Sequence, residues 1–175
     1  MLIKDFLDKF ISKSTIKNKP ANIVLSGGKS PIKLYKFMAR QNFKWGNVKL
    51  SLLDERIVKN QSKFSNFLIV KKIFDKKIKN KNFVNMIDCF KKKKIKSLIK
   101  DYTINKPIII AGFGDDGHFA SIFPSSKFYS KLVNLRKKKY IFKVEKIGEP
   151  CVERITMNLS LVINSKKIIL VISNK

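Results

Sequence analysis

The sequence predicts an α/β fold, a single domain built on a doubly wound, mostly parallel sheet with helices on both faces. Three observations predict it. Short apolar runs alternate with longer amphipathic ones, the order that right-handed strand–helix–strand crossovers produce. The apolar runs lack the in–out alternation of a half-exposed sheet, so both sheet faces are expected to be covered. The 175 residues hold no internal repeat and no Gly-, Pro- or Ser-rich linker, which suits one domain with a sizeable core.

The elements follow in order. MLIKDFLDKFISK places Leu2, Ile3, Phe6, Leu7, Phe10 and Ile11 at helical spacing. Charges interrupt it too often for a signal peptide or a membrane span, so the cytoplasm is the expected compartment. NIVLS (22–26) is predicted as a buried strand, and PIKLYKFMAR (31–40) as a helix with Leu34, Phe37 and Met38 inward. VKLSLL (48–53) is the next strand and SNFLIVKKIF (65–74) the next helix. FVNMI (83–87) is predicted as a strand, and KKKKIKSLIKDY (91–102) as a helix whose lysines form a solvated face. PIIIAGFG (107–114) is the most apolar strand, followed by strands KYIFKV (139–144) and KKIILVIS (166–173).

A net charge of +27 first suggests a nucleic-acid partner. Lys supplies 35 of the 39 cations and Arg only four, whereas base readout leans on arginine forks. Lys, Ile, Asn and Phe together make up 87 residues. All four have A/T-rich codons, so genomic drift accounts for the charge, and no specific nucleic-acid partner is expected. Cys89 and Cys151 have neither CxxC spacing nor partner histidines, so neither a zinc site nor a disulfide framework is predicted.

In such a sheet, ligands sit beyond the carboxyl ends of the strands. SGGKSP (26–31) follows the first strand. Gly27 and Gly28 permit close backbone approach, Ser30 is a candidate helix cap, and Pro31 suits the first helical position. The helix start and Lys29 together offer an anion site; no Walker pattern is present. DERIV (54–58) follows the second strand; its charges fit either a surface ion pair or, at the ligand end, an Arg56 that steadies an anion or a developing oxyanion. GFGDDGHFASIFP (112–124) follows the central strand and carries the chain's only histidine. It fits GxGxxG literally, but Asp115 and Asp116 would repel a pyrophosphate and Pro124 cuts short the helix that should follow. The glycines instead present Asp116 beside His118, where a carboxylate can fix the imidazole tautomer and raise its basicity.

In their order, LSGGKSP, LLDERIV, SKFSN, GFGDDGHFASIFP and ERITMN resemble the motifs of the 6-phosphogluconolactonase family, from residue 22 to about residue 173. That family shares its sheet and phosphate loop with glucosamine-6-phosphate deaminase; the arginine of DER and the ending HFASIFP resemble the lactonase branch. The resemblance implies a Rossmann-like fold and hydrolysis of 6-phospho-D-glucono-1,5-lactone in the oxidative pentose phosphate pathway. It implies no metal and no cofactor, a small phosphosugar lactone as ligand, no membrane partner, and a monomer or weak homodimer. Gly27, Gly28, Lys29 and Ser30 match the loop that holds the sugar phosphate, and Arg154 matches its arginine clamp. His118 matches the base that activates water, with Asp116 orienting it. Asp54 and Arg56 match polar residues at the ring end of the pocket, with Arg56 counted among the catalytic group and Gly114 among the substrate-binding residues. Lys29 stands where the family has a small hydroxyl residue. The family continues past the last strand, with a lysine near the position of Lys175 to which no role is carried over, so residues 1–175 are expected to form one lactonase-like domain without that C-terminal segment. A deaminase-like phosphosugar isomerase, an inactive shortened relative and a basic nucleic-acid-binding module are the alternatives.

Overall fold

The computed structural model describes residues 2–59, 61–114 and 116–172. Four parallel strands, β1 (Ala21–Leu25), β2 (Val48–Leu52), β4 (Ile108–Gly112) and β7 (Lys167–Val171), form one sheet in the order β2-β1-β4-β7. β1 is buried along its whole length and β4 in all but its last residue, as expected for central strands covered on both faces. From β1 the chain steps outward to β2 and then returns to β4 on the other side of β1. The sheet therefore reverses its winding between β1 and β4, and the crevice beyond their carboxyl ends is the topological switch point.

The opening amphipathic stretch is α1 (Ile3–Ile16), which buries Leu7, Phe10 and Ile11 and leaves Leu2 exposed. α2 (Ile32–Arg40) buries Met38 and packs Leu34 partly against the core, as its sequence predicts, but Phe37 is exposed and Tyr35 is buried in its place. The Tyr35 hydroxyl accounts for its burial, since it shares its one proton between the carbonyls of Ser26 at 2.9 Å and Ile110 at 3.1 Å and so bridges β1 and β4. Pro31 sits at the N-cap position, and Ser30 makes no side-chain capping bond. Ser30 is thus part of the loop and not a helix cap.

Several predicted elements change type. FVNMI contributes only a single bridge, from Phe83 to Leu50; Met86 already begins α4 (Met86–Lys91). The Asn85 carboxamide oxygen accepts the Ile87 and Asp88 N–H groups and so starts that helix. The predicted 91–102 helix is interrupted by Lys93 at φ 54°, and α5 (Ile95–Asn105) follows; the four lysines are exposed, as expected. KYIFKV does not join the parallel sheet. It lies in β5 (Ile141–Ile147), part of a second, antiparallel sheet with β3 (Asp54–Arg56) and β6 (Val152–Met157), in the order β3-β6-β5. α3 (Asn66–Phe74) starts on a Ser65 cap, while α6 (Tyr129–Val133) and α7 (Leu159–Val162) are short connectors. Among the described residues β7 is an edge strand of the parallel sheet, with Leu170 50% exposed and Ile172, just beyond it, 72% exposed.

Candidate active site

The two sheets meet at the switch point and bring together loops far apart in sequence. Gly27, Gly28, Lys29 and Ser30 follow β1; Asp54 and Arg56 lie on β3, which leaves β2 after one residue; Gly114 and His118 follow β4; Arg154 lies on β6. All nine line one cavity of about 150 Å³. Asp116 is not in its lining and reaches it through His118. Asp115 and Lys175 lie outside the described residues.

The loop after β4 is shaped around its histidine. Gly114 N–H donates to His118 O and Gly117 N–H to Gly114 O, both at 3.0 Å, and Gly117 takes a φ of 79°. A Cβ on Gly114 would overlap both His118 Nδ1 and the Asp116 carboxylate, so only glycine lets that pair form. Asp116 Oδ1 is hydrogen-bonded to His118 Nδ1. A carboxylate there selects the tautomer protonated on Nδ1 and leaves Nε2 with a free lone pair. The hydrogen bond from His118 holds the Asp116 carboxyl below the usual carboxylate value. The imidazole stacks on Phe123 with 4.5 Å between ring centres and 16° between planes, and the Arg154 guanidinium carbon lies 5.3 Å from the same ring.

The loop after β1 is open to a ligand. Among the described residues, the main-chain N–H groups of Gly27, Gly28, Lys29 and Ser30 have no protein acceptor. Gly28 adopts a φ of 87°, and successive unpaired amides of this kind form an anion nest. Ser26 fixes the nest to the histidine loop, because its Oγ accepts the Gly112 N–H at 2.8 Å.

The antiparallel register places Arg56 directly opposite Arg154. Two of the chain's four arginines thus share one cavity. Arg154 is 2% exposed and donates to the carbonyls of Ile147 at 2.9 Å and Pro150 at 3.0 Å. Burial, and then the charge of Arg56, lower its pKa. Among the described residues neither arginine forms an ion pair. Like charges opposite each other on paired strands are destabilising, so this pair is suited to an anion between its members.

Three residues to which sequence reasoning gave no role support this arrangement. The buried Glu55 carboxylate accepts main-chain N–H groups of Arg56, Asn66 and Phe67 at 2.7–2.8 Å and the Ser65 hydroxyl at 3.1 Å, which fixes α3 against β3. Burial pushes its carboxyl up despite those donors. Ser121 donates to buried Asp54 at 2.6 Å. Asn66 lines the cavity beside Arg56. The sequence signals were present, in the acid between Asp54 and Arg56 and in the cap-like Ser65–Asn66 pair, but their partners are set only by the fold. Among the described residues, no three His, Cys, Asp or Glu side chains are grouped to hold a metal ion, and no helix is long and apolar enough to cross a membrane.

Comparison with known proteins bears on what this cavity binds. The family described as glucosamine-6-phosphate isomerases/6-phosphogluconolactonase matches residues 2–175. A 6-phosphogluconolactonase of Thermotoga maritima is 29% identical over 159 residues, which cover 87% of this chain and 69% of that protein. One from Helicobacter pylori is 30% identical over 172 residues, covering 94% of this chain and 72% of that protein. The crystal structure of the Thermotoga maritima 6-phosphogluconolactonase superposes with a TM-score of 0.69 at 25% identity, covering 95% of this chain and 78% of that one. The chain spans 55% of the length of a Xylella fastidiosa 6-phosphogluconolactonase and 75% of that of a second Helicobacter pylori one.

Proposed function

The chain belongs to the glucosamine-6-phosphate isomerase/6-phosphogluconolactonase family, and from that premise we propose that it hydrolyses 6-phospho-D-glucono-1,5-lactone to 6-phosphogluconate. The observation that carries this reading is the cross-strand pair Arg56–Arg154, which forms no ion pair among the described residues and faces the same cavity as the only imidazole. An anionic substrate offsets the repulsion between the arginines, and the base stands where a bound ester can be attacked. The amides of residues 27–30, with Lys29 and Arg154, hold the phosphate.

The chemistry follows from His118 Nε2. It takes a proton from water as the water oxygen bonds to the lactone carbonyl carbon, and the carbonyl oxygen becomes an oxyanion that Arg56 stabilises. The tetrahedral intermediate then collapses, the bond from carbon to the ring oxygen breaks, and the imidazolium returns its proton to that oxygen. The new carboxylic acid ionises to solvent. Asp116 keeps the ring in the correct tautomer throughout, and Asp54 contributes at the ring end of the pocket.

The direct test is hydrolysis by the purified 175-residue chain, corrected for the spontaneous reaction and coupled to oxidation of the released 6-phosphogluconate. A rate no higher than the spontaneous one rejects the reading. Ammonia release from glucosamine 6-phosphate would move the assignment to the deaminase branch.

The phosphate assignment makes its own prediction. Arg154→Ala should raise KM for the phosphorylated lactone and change KM for an unphosphorylated lactone much less. Because it also leaves two inward carbonyls without donors, a stability loss of about 1–3 kcal/mol should accompany it. Equal KM changes on both substrates would make Arg154 purely structural.

A further inference from the structure

We propose that Asn66 is the positioning residue that sets the Arg56 guanidinium for oxyanion stabilisation and fixes how closely the Gly27 loop approaches it. The inference rests on the reading of the preceding subsection. Asn66 is the first residue of α3 and is 1% exposed. Its carboxamide is used at both ends. Nδ2 donates to the Asp54 main-chain carbonyl at 3.1 Å, and Oδ1 accepts from Arg56 Nη1. The Asp54 carbonyl can only accept, so the amide cannot flip, and its oxygen must face the arginine. Its main-chain N–H is held by Glu55 at 2.8 Å, which ties the residue to the strand that carries Arg56.

Nη1 has two hydrogens and two acceptors, Asn66 Oδ1 and the Phe64 carbonyl at 3.1 Å. The protein thereby occupies Nη1 fully. Arg56 Nε is buried and has no partner among the described residues. Nη2 has no acceptor among the described residues and remains for a ligand oxygen, and it is oriented because Nη1 is pinned. On its other side, Asn66 touches the phosphate loop: any Cβ on Gly27 would overlap its carboxamide. One buried amide thus sets both the anion nest and the oxyanion-stabilising arginine.

Double-mutant cycles test this. Asn66→Ala should lower kcat by about 10- to 100-fold, the cost of misplacing a reacting group by around an ångström. Arg56→Ala should lower kcat at least as much, and the double variant should lie within about twofold of Arg56→Ala alone, since groups acting as one unit are not additive. Gly27→Ala makes a second cycle that leaves Asn66 in the chain; its methyl displaces the carboxamide, so its effect on kcat should also vanish in the Arg56→Ala background. This second cycle decides the question if Asn66→Ala does not fold. Effects that multiply in the cycles that can be measured would overturn the inference alone, leaving lactone hydrolysis intact. A wild-type chain without turnover removes the preceding reading and this one together.

Discussion

His118→Asn is expected to lower kcat by about 10²- to 10⁴-fold, the range for loss of a general base, with the fold intact. The ring is partly exposed, its side chain 34% accessible, and its contacts are local: Asp116 on one nitrogen and Phe123 beneath. Asparagine keeps much of the shape but has no nitrogen able to take a proton. The pH profile supplies an independent check. Asp116 has its folded-state pKa lowered by the hydrogen bond from His118. The stability it gains from that bond is therefore complete above the ordinary carboxylate range, and is lost only as pH falls through the lowered value. Across the range where an imidazole gains its proton, Asp116 stays ionised. Any imidazole part of the acid limb of kcat then has one source, the only histidine in the chain, and that part should disappear in His118→Asn. Wild-type turnover with an unchanged acid limb in that variant would end the mechanism. Asp116→Asn should cost less, because it loosens the ring without removing Nε2.

Gly114→Ala is expected to cost about 10²-fold in kcat through the position of the histidine ring. The added methyl carbon would occupy the space of His118 Nδ1 and the Asp116 carboxylate, so the ring must swing away, and small misplacements of a reacting group are that expensive. Gly46→Ala is the matched control. A Cβ there meets nothing within 4 Å and needs no left-handed backbone, so activity should not change. Equal activity of the two variants would show that the histidine loop tolerates the displacement.

The residues gathered in the cavity were legible because loops at the ends of buried parallel strands converge whatever the sequence between them. SGGKSP, DERIV and GFGDDGH each follow a run whose burial the pattern alone implies. Tertiary partners decided the rest. VERITM carries the charges of Glu153 and Arg154, which hid β6, yet the cross-strand arginine pair depends on that strand. FVNMI is too short for periodicity to separate strand from helix, and a carboxamide cap on Asn85 settles it as the start of α4. Phe37 matched the apolar stripe of α2, but Tyr35, whose hydroxyl lies between two carbonyls, is the aromatic residue the helix buries. Asn66 could be quoted from sequence and not understood, because all three of its partners come from other segments.

The open edge at β7 gives the excess of lysine a colloidal role. Among the described residues no strand pairs with the outer side of β7, and an unpaired edge is a template for pairing with another chain; Ile168, Leu170 and Ile172, at alternate positions, add an exposed apolar stripe on one face. At +27 any two copies repel each other before such edges can meet. That protection reaches only as far as the ionic atmosphere allows, roughly 8 Å at physiological salt and 3 Å at 1 M. For this 175-residue chain, dispersed molecules and aggregates are therefore separated by ionic strength: dilute buffer favours the monodisperse state, and concentrated salt brings the edges within reach of one another.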